Sequence, residues 1–333
     1  VTLFLVIAAF LLGWLGTLAI EHFAPRMGLV QAPNARSSHT RPTPRGGGLA
    51  IAVAVVLAAT VLGLWPIAAL TAIIAALGFA DDLRDLSPAL RFPIQTLVFI
   101  ALLWTTGPLP PIPLPFGLAL SGLVLPAILL LIGLWWLNLF NFMDGIDGIA
   151  GSQAVLLLAG STLIWWSAEP AAWQSPILAL ALAGAAATAG FLLRNWPPAR
   201  IFMGDAGSNA LALLIFAIAL ATIASGQFAY QPWLVLPSVF VTDATVTLLR
   251  RIARGERPWH AHRRHAYQQL SRLWGHRRVT LLYGALTALW AFPLAFAAQH
   301  LPDWSWWLAL LVYVPLIILA ITADAGGASE TKS

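Results

Sequence analysis

The chain contains no cysteine, which removes disulfide frameworks and thiolate metal sites together. Charge is scarce too: 9% of its 333 residues are Asp, Glu, Lys or Arg, against about 25% in soluble domains. A soluble chain of this length could bury a core, but so few charges could not cover its surface. The net charge is +5, which a nucleic-acid binder would also show. A membrane chain needs basic residues first for topology, and no nucleic-acid partner is expected. Val1–Ile20 lacks a basic leader and an Ala-x-Ala cleavage site, so it is expected to be a retained span, not a signal peptide.

What the chain has instead is apolar length, 59% of it hydrophobic. A helical span needs roughly 20 apolar residues, and about eleven such segments follow one another. They cover roughly 1–20, 48–64, 66–80, 92–107, 122–140, 152–167, 175–193, 208–225, 231–249, 279–298 and 305–322. The expected fold is all-α: one polytopic membrane domain over 1–333 with about eleven transmembrane helices, and residues 250–280 as a basic loop within it. Threaded in order, all 18 Lys and Arg fall on one side of the bilayer. The positive-inside rule then puts the N-terminus outside and the C-terminus in the cytoplasm. Trp14, Trp65, Trp104, Trp165, Trp166, Trp304 and Trp307 lie near span ends, as interfacial anchors do.

Five constellations gather on the basic side. Asp81-Asp82-Leu83-Arg84-Asp85 closes the third segment; carboxylates so crowded at a membrane edge suit a metal ion or proton transfer, or else a solvated helix end paired with Arg84 and Arg91. Asn138 to Gly148 closes the fifth with Asn141, Asp144 and Asp147 at intervals of three and two Asp-Gly turns, where backbone N–H groups are free for a ligand. Asn195 to Ser208 carries Arg200, Phe202 and Gly204-Asp205-Ala206-Gly207-Ser208 just before the eighth segment. That run reads as a phosphate cradle at a helix N-terminus with a magnesium ion between Asp205 and phosphate, or as simple N-capping by Asp205 or Ser208. The stretch Arg250 to Gln268 interleaves arginines with His260, His262 and His265; like charge would keep those imidazoles neutral and able to meet a phosphate. Asp243, within the ninth segment, is expected to face the site because an unpartnered membrane carboxylate is costly. His39 to Gly48, Arg-flanked and Gly-rich, suits a diphosphate or is merely a flexible loop.

Together these motifs resemble, in order and over the whole chain, the polyprenyl-phosphate N-acetylhexosamine-1-phosphate transferases. That family includes the phospho-MurNAc-pentapeptide translocase and the GlcNAc-1-phosphate transferases that start O-antigen. The resemblance implies transfer of a sugar-1-phosphate from a UDP-N-acetylhexosamine to undecaprenyl phosphate, releasing UMP, with Mg²⁺ (or Mn²⁺) as cofactor. It implies a bacterial inner-membrane enzyme whose site faces the cytoplasm, and it leaves room for a homodimer. By that likeness Asp81, Asp82, Asp205 and His265 would be catalytic, with Asp81 the base for the lipid phosphate. Asp205 and Asn141 would hold the metal. Asn141, Asp144, Asp147, Asn195, Phe202, Gly204, Ser208, His262 and Arg263 would bind substrate, with Asp147 and Phe202 nearest the uracil. His265 would match the first histidine of the family's His-x-His-His motif. This chain departs from it by Tyr267 and Gln268, expected to tune the choice of sugar, and its late basic string looks like the O-antigen branch. Two rivals make other demands. A transporter would place ionisable residues mid-membrane and show repeats, and a CDP-alcohol phosphatidyltransferase would carry an Asp-Gly-x-x-Ala-Arg string that is absent.

Overall fold

A computed structural model describes residues 2–31, 42–114, 117–256 and 263–327. Every apolar segment is helical. The helices are α1 (Thr2–Phe23), α2 (Gly48–Val61), α3 (Trp65–Arg84), α4 (Pro88–Thr106), α5 (Val124–Phe142), α6 (Ile149–Ala168), α7 (Pro176–Asn195) and α8 (Gly204–Ala224). After these come α9 (Tyr230–Val235), α10 (Ser238–Ala253), α11 (Ala266–Leu286), α12 (Phe292–His300) and α13 (Ser305–Thr322). Two short antiparallel pairs, Val30–Gln31 with Thr43–Pro44 and Ile112–Pro113 with Ala119–Leu120, are the only sheet among the described residues. An all-α membrane protein is what lipid requires, since only intra-segment hydrogen bonds satisfy the backbone there.

Nine helices of the described residues are long and apolar enough to cross a membrane. The other two expected spans differ for local reasons. α2 has only 14 residues. The ninth segment is broken into α9 and α10 at Leu236–Pro237, where proline cannot continue the ladder. Thr287–Ala291, just before Pro293, winds as a π-turn that joins α11 to α12.

The basic stretch is also more helical than expected. α10 runs on to Ala253, and α11 starts at Ala266, well before the apolar segment, with one non-helical residue at Gly275 (φ 77°). Hydropathy finds the apolar middle of a helix and reads its polar end as loop.

Small residues set the packing. A Cβ on Gly13 would lie 2.0 Å from the Ala187 carbonyl oxygen, so α1 and α7 meet backbone to backbone. α8 is buried along nearly all its length, against α2, α3, α5 and α7. The C-terminal ends of α3, α5 and α7 and the N-terminal ends of α2, α6 and α8 therefore gather at one end of the bundle.

Candidate active site

That end holds a cavity of about 260 Å³. Four carboxylates line it: Asp82, Asp144, Asp147 and Asp205. Asn141, Asn195, Phe202, Gly204, Gln31, Arg45 and Gln268 complete the polar part of the wall.

The head of α8 is organised by Asp82. Its two carboxylate oxygens accept the N–H groups of Asp205 (3.1 Å) and Ala206 (3.2 Å), so a carboxylate from α3 caps α8. This changes the phosphate-cradle expectation: the anion seated at this helix N-terminus is Asp82. Glycine makes the approach feasible. Gly204 has φ 75°, and a Cβ there would come 2.6 Å from Asp82 Oδ2, while one on Gly78 would meet the Asp205 carbonyl oxygen at 2.4 Å. Ser208 is neither the cap nor a wall residue; its hydroxyl is buried within the first turns of α8 without a hydrogen-bond partner among the described residues.

Asp81 stands behind the wall. It is ion-paired with Arg91 and accepts the Leu86 N–H at 2.6 Å, and Arg91 reaches on to Asp205 at 3.5 Å. Asp205 also hydrogen-bonds Asp81 and Asn141. Asp81 is thus a support of Asp205, not a base open to the cavity. Asp85 leaves the helix in a left-handed conformation (φ 47°) and is exposed. Asp144, in the turn after α5, is the least compensated acid. Burial first, then the neighbouring Asp205, Asp82 and Asp147, push its carboxyl well above the ordinary carboxylate range.

Asn195 spends its amide on the scaffold, accepting the Gly148 N–H (3.0 Å) and donating to the Ile201 carbonyl (2.9 Å). It positions both flanking loops at the cavity edge. Phe202 is fixed by its backbone, which pairs with Pro44 and Gly47 at 2.9 Å each. This docking brings Arg45 into the wall, where its guanidinium also donates to the Asp82 carbonyl. The Arg-Gly-rich segment is therefore part of the site, although His39 and Arg41 lie outside the described residues. Asp147 accepts the Ala199 N–H at 3.0 Å and faces His276 at 3.2 Å.

The late basic stretch takes a different place. Asp243 accepts the N–H groups of Ala266 (2.8 Å) and Tyr267 (2.9 Å) and the Tyr283 hydroxyl (2.6 Å). It caps α11 and lines no part of the acidic cavity, contrary to the expectation that it faces the site. His265 is buried beside it, Nδ1 3.6 Å from Asp243 Oδ1, and stacks on Tyr267. Tyr267 is fully buried and donates its hydroxyl to the Phe142 carbonyl (2.8 Å); of the two residues expected to tune sugar choice, only Gln268 reaches the wall. Arg263 is half-buried off the wall, with its carbonyl accepting from Arg272 (3.2 Å). His260 and His262 lie outside the described residues. Nearby, Glu256 bridges Arg264 and Arg251, and the Arg264 hydrogen bonds foremost push its carboxyl down to about 2.

The sequence profile of glycosyl transferase family 4 matches residues 64–223, the stretch that carries all four cavity carboxylates. A decaprenyl-phosphate N-acetylglucosaminephosphotransferase of Mycolicibacterium smegmatis is 30% identical, covering 88% of this chain and 79% of its own. The chain belongs to glycosyl transferase family 4. Other similar members include a probable undecaprenyl-phosphate N-acetylglucosaminyl 1-phosphate transferase of Bacillus subtilis, 28% identical over 98% of this chain and 94% of its own. A phospho-N-acetylmuramoyl-pentapeptide-transferase of Synechococcus elongatus is 34% identical over 66% of this chain and 67% of its own.

Sequence reasoning missed several residues of this family member's site. Gln31 carries no motif. Arg91 was legible only as a partner for the acidic cluster. His276 lies in the basic stretch 250–280 but beyond the run Arg250 to Gln268 that was read for chemistry. A second cavity, of about 410 Å³ and almost wholly apolar, runs between α5, α8, α9, α10 and α13. Its lining includes Trp136, Phe216, Trp233 and Leu139, the last only two residues before Asn141.

Proposed function

We propose that this protein transfers an N-acetylhexosamine-1-phosphate from a UDP-sugar to undecaprenyl phosphate. UMP is released, and a lipid-diphosphate sugar is formed for cell-surface polysaccharide such as O-antigen. The observation that carries this reading is that one bundle holds both an acidic polar cavity and an almost wholly apolar one, with α5 lining part of each. A water-soluble nucleotide sugar suits the first and a polyprenyl tail the second. The names of the similar family members support the lipid acceptor. The segregation of Lys and Arg supports a site on the cytoplasmic side of a bacterial inner membrane.

In the reaction, an oxygen of the lipid phosphate forms a bond to the sugar-bearing phosphorus while the bond from that phosphorus to the UMP oxygen breaks. A phosphate monoester has its second pKa near 6, so the nucleophile is already anionic and needs no protein base. This agrees with an Asp81 that is committed to Arg91 and Leu86. The difficulty is charge, since anion must approach anion. Arg45 stands in the wall against it, but four carboxylates outnumber it.

The donor set fits Mg²⁺, because it is all oxygen and is left with excess negative charge. Among the described residues no cluster of three acids or histidines makes a ready cage, and magnesium is usually held by one or two carboxylates plus substrate phosphates. Asp205 and Asn141 would hold it, with Asp144 beside them. When bound, it supplies charge neutralisation of the diphosphate and of the leaving UMP oxygen. The protein's own part is to orient. Asp82 fixes the head of α8 and hence Asp205, Asn195 fixes the two loops, and Phe202, Asp147 and Gln268 shape the donor side.

The deciding experiment is UMP release by purified protein given undecaprenyl phosphate and a panel of UDP-N-acetylhexosamines, with and without chelator. We expect release with at least one donor and none in chelator. No release with any donor, or full activity in chelator, would overturn the substrate or the metal assignment respectively.

A further inference from the structure

Between the head of α11 and the end of α5 stands one phenol. Tyr267 is fully buried in the first turn of α11, and its hydroxyl donates to the Phe142 carbonyl at 2.8 Å. The same oxygen accepts the Gly145 N–H. A hydroxyl has one proton to give and two lone pairs to receive, so both bonds form at once. Phe142 is the last residue of α5, where carbonyls lose their partners in the helical ladder. An ordinary turn there would join the Phe142 carbonyl directly to the Gly145 N–H. The Tyr267 oxygen stands between them and holds the turn open. Asp144 lies inside that turn and lines the acidic cavity.

The ring is fixed before it reaches the turn. The Tyr267 backbone N–H is held by Asp243 at 2.9 Å. Its ring stacks on His265 (22°, centroids 5.6 Å apart) and meets Tyr283 edge-on (82°, 6.4 Å). Gly145 is matched to the phenol, since a Cβ there would lie 2.1 Å from the Tyr267 hydroxyl oxygen. Gly145 lies outside the left-handed region, so space excludes a side chain there and backbone conformation does not.

We propose that Tyr267 is a positioning residue of the acidic site: its hydroxyl bridges Phe142 and Gly145 and so sets where Asp144 presents its carboxyl in the cavity it shares with Asp205 and Asn141. This rests on the transferase reading above. It assigns Tyr267 to the geometry of the end that takes the cation and the diphosphate, and not to the choice of one sugar over another. Without the hydroxyl the turn can close on itself, and Asp144 moves with it.

The test uses the full-length protein in detergent with Mg²⁺, undecaprenyl phosphate and the UDP-sugars that support UMP release. Tyr267→Phe keeps the ring and removes the bridge. It should raise about tenfold the Mg²⁺ concentration that gives half of the Mg²⁺-induced rise in melting temperature, and the KM for UDP-sugar by as much, as loss of oriented hydrogen bonds does. The KM for the lipid phosphate and the ranking of donors should not move. Gly145→Ala should act in the same direction. Adding it to Tyr267→Phe should change either value by less than about threefold more, because both substitutions break one contact. Wild-type Mg²⁺ dependence in Tyr267→Phe, both KM values rising together, a changed ranking of donors, or fully additive effects would overturn the role. Should Tyr267→Phe fold poorly, Gly145→Ala decides on the same Mg²⁺ readout. A wild type with neither UMP release nor a Mg²⁺-induced shift overturns the transferase reading and this role with it. A wild type that shows both, with Tyr267→Phe alike, overturns Tyr267 alone.

Discussion

Asp82 and Asp243 solve the same local problem at two places. Asp82 accepts the N–H groups of Asp205 and Ala206 at the head of α8, and Asp243 those of Ala266 and Tyr267 at the head of α11. In each case a carboxylate from one helix satisfies donors that the first turn of another leaves free. Their surroundings diverge. Asp243 is ringed by further donors, with the Tyr283 hydroxyl at 2.6 Å, Thr247 at 3.3 Å and His265 at 3.6 Å. Asp82 shares its cavity with Asp144, Asp147 and Asp205. One carboxylate is matched by protein donors on every side; the other sits among acids that outnumber the arginines beside them, an excess a cation would offset. Burial alone does not mark a functional acid, but a deficit of donors does.

The largest effect should come from the deficient side. Asp205→Asn is expected to lower UMP release by about a thousandfold, the scale of losing a main electrostatic contact, with melting temperature near wild type. Near-native turnover would break the comparison at once. On the complete side the effect should be structural. Asp243→Ala is expected to cost about 3 kcal/mol of stability, because buried donors lose their acceptor. His265→Ala should cost about 1–2 kcal/mol and, per folded molecule, reduce turnover less than about tenfold with every donor. Thermal unfolding alongside steady-state kinetics separates these outcomes. Unchanged stability with abolished turnover would place the Asp243 and His265 pair in the chemistry after all.

The smallest effect sharpens the comparison through pH. Asp144 has its carboxyl raised by burial and by three neighbouring acids, so the folded chain binds a proton there that the unfolded chain releases. In chelator, stability should therefore fall as pH rises from the ordinary carboxylate range upward. Asp144→Asn should flatten that slope and gain about 1 kcal/mol at pH 8, while lowering activity. Melting curves from pH 5 to 8 in chelator check this; an unchanged slope would show that Asp144 is already compensated. Magnesium added to wild type should raise the melting temperature more than it does for the variant.

Much of this was legible from residues alone, and the reasons are physical. Lipid excludes unpaired backbone, so apolar length predicted helices, and all the expected segments are helical. Polar clusters at a membrane edge are costly without a role, so Asn141, Asp144, Asp147 and Asp205 stood out, and all four share one cavity. Spacing could not reveal which carboxylates are consumed by the scaffold, because the donors for Asp82 and Asp243 come from helices 123 and 23 residues away. His265 looked catalytic beside arginines and is instead sealed with Asp243 and Tyr267. His276, outside the run read for chemistry, meets Asp147 across 129 residues.

Sequence by itself determined the solvent, the helices and the acidic, Gly-rich character of one end, because these follow from local composition and the cost of unpaired polar groups in lipid. Only the tertiary structure decided which acids face the cavity, which ones cap helices and which basic residues join them. Those choices depend on where distant helix ends meet, and no local pattern encodes that.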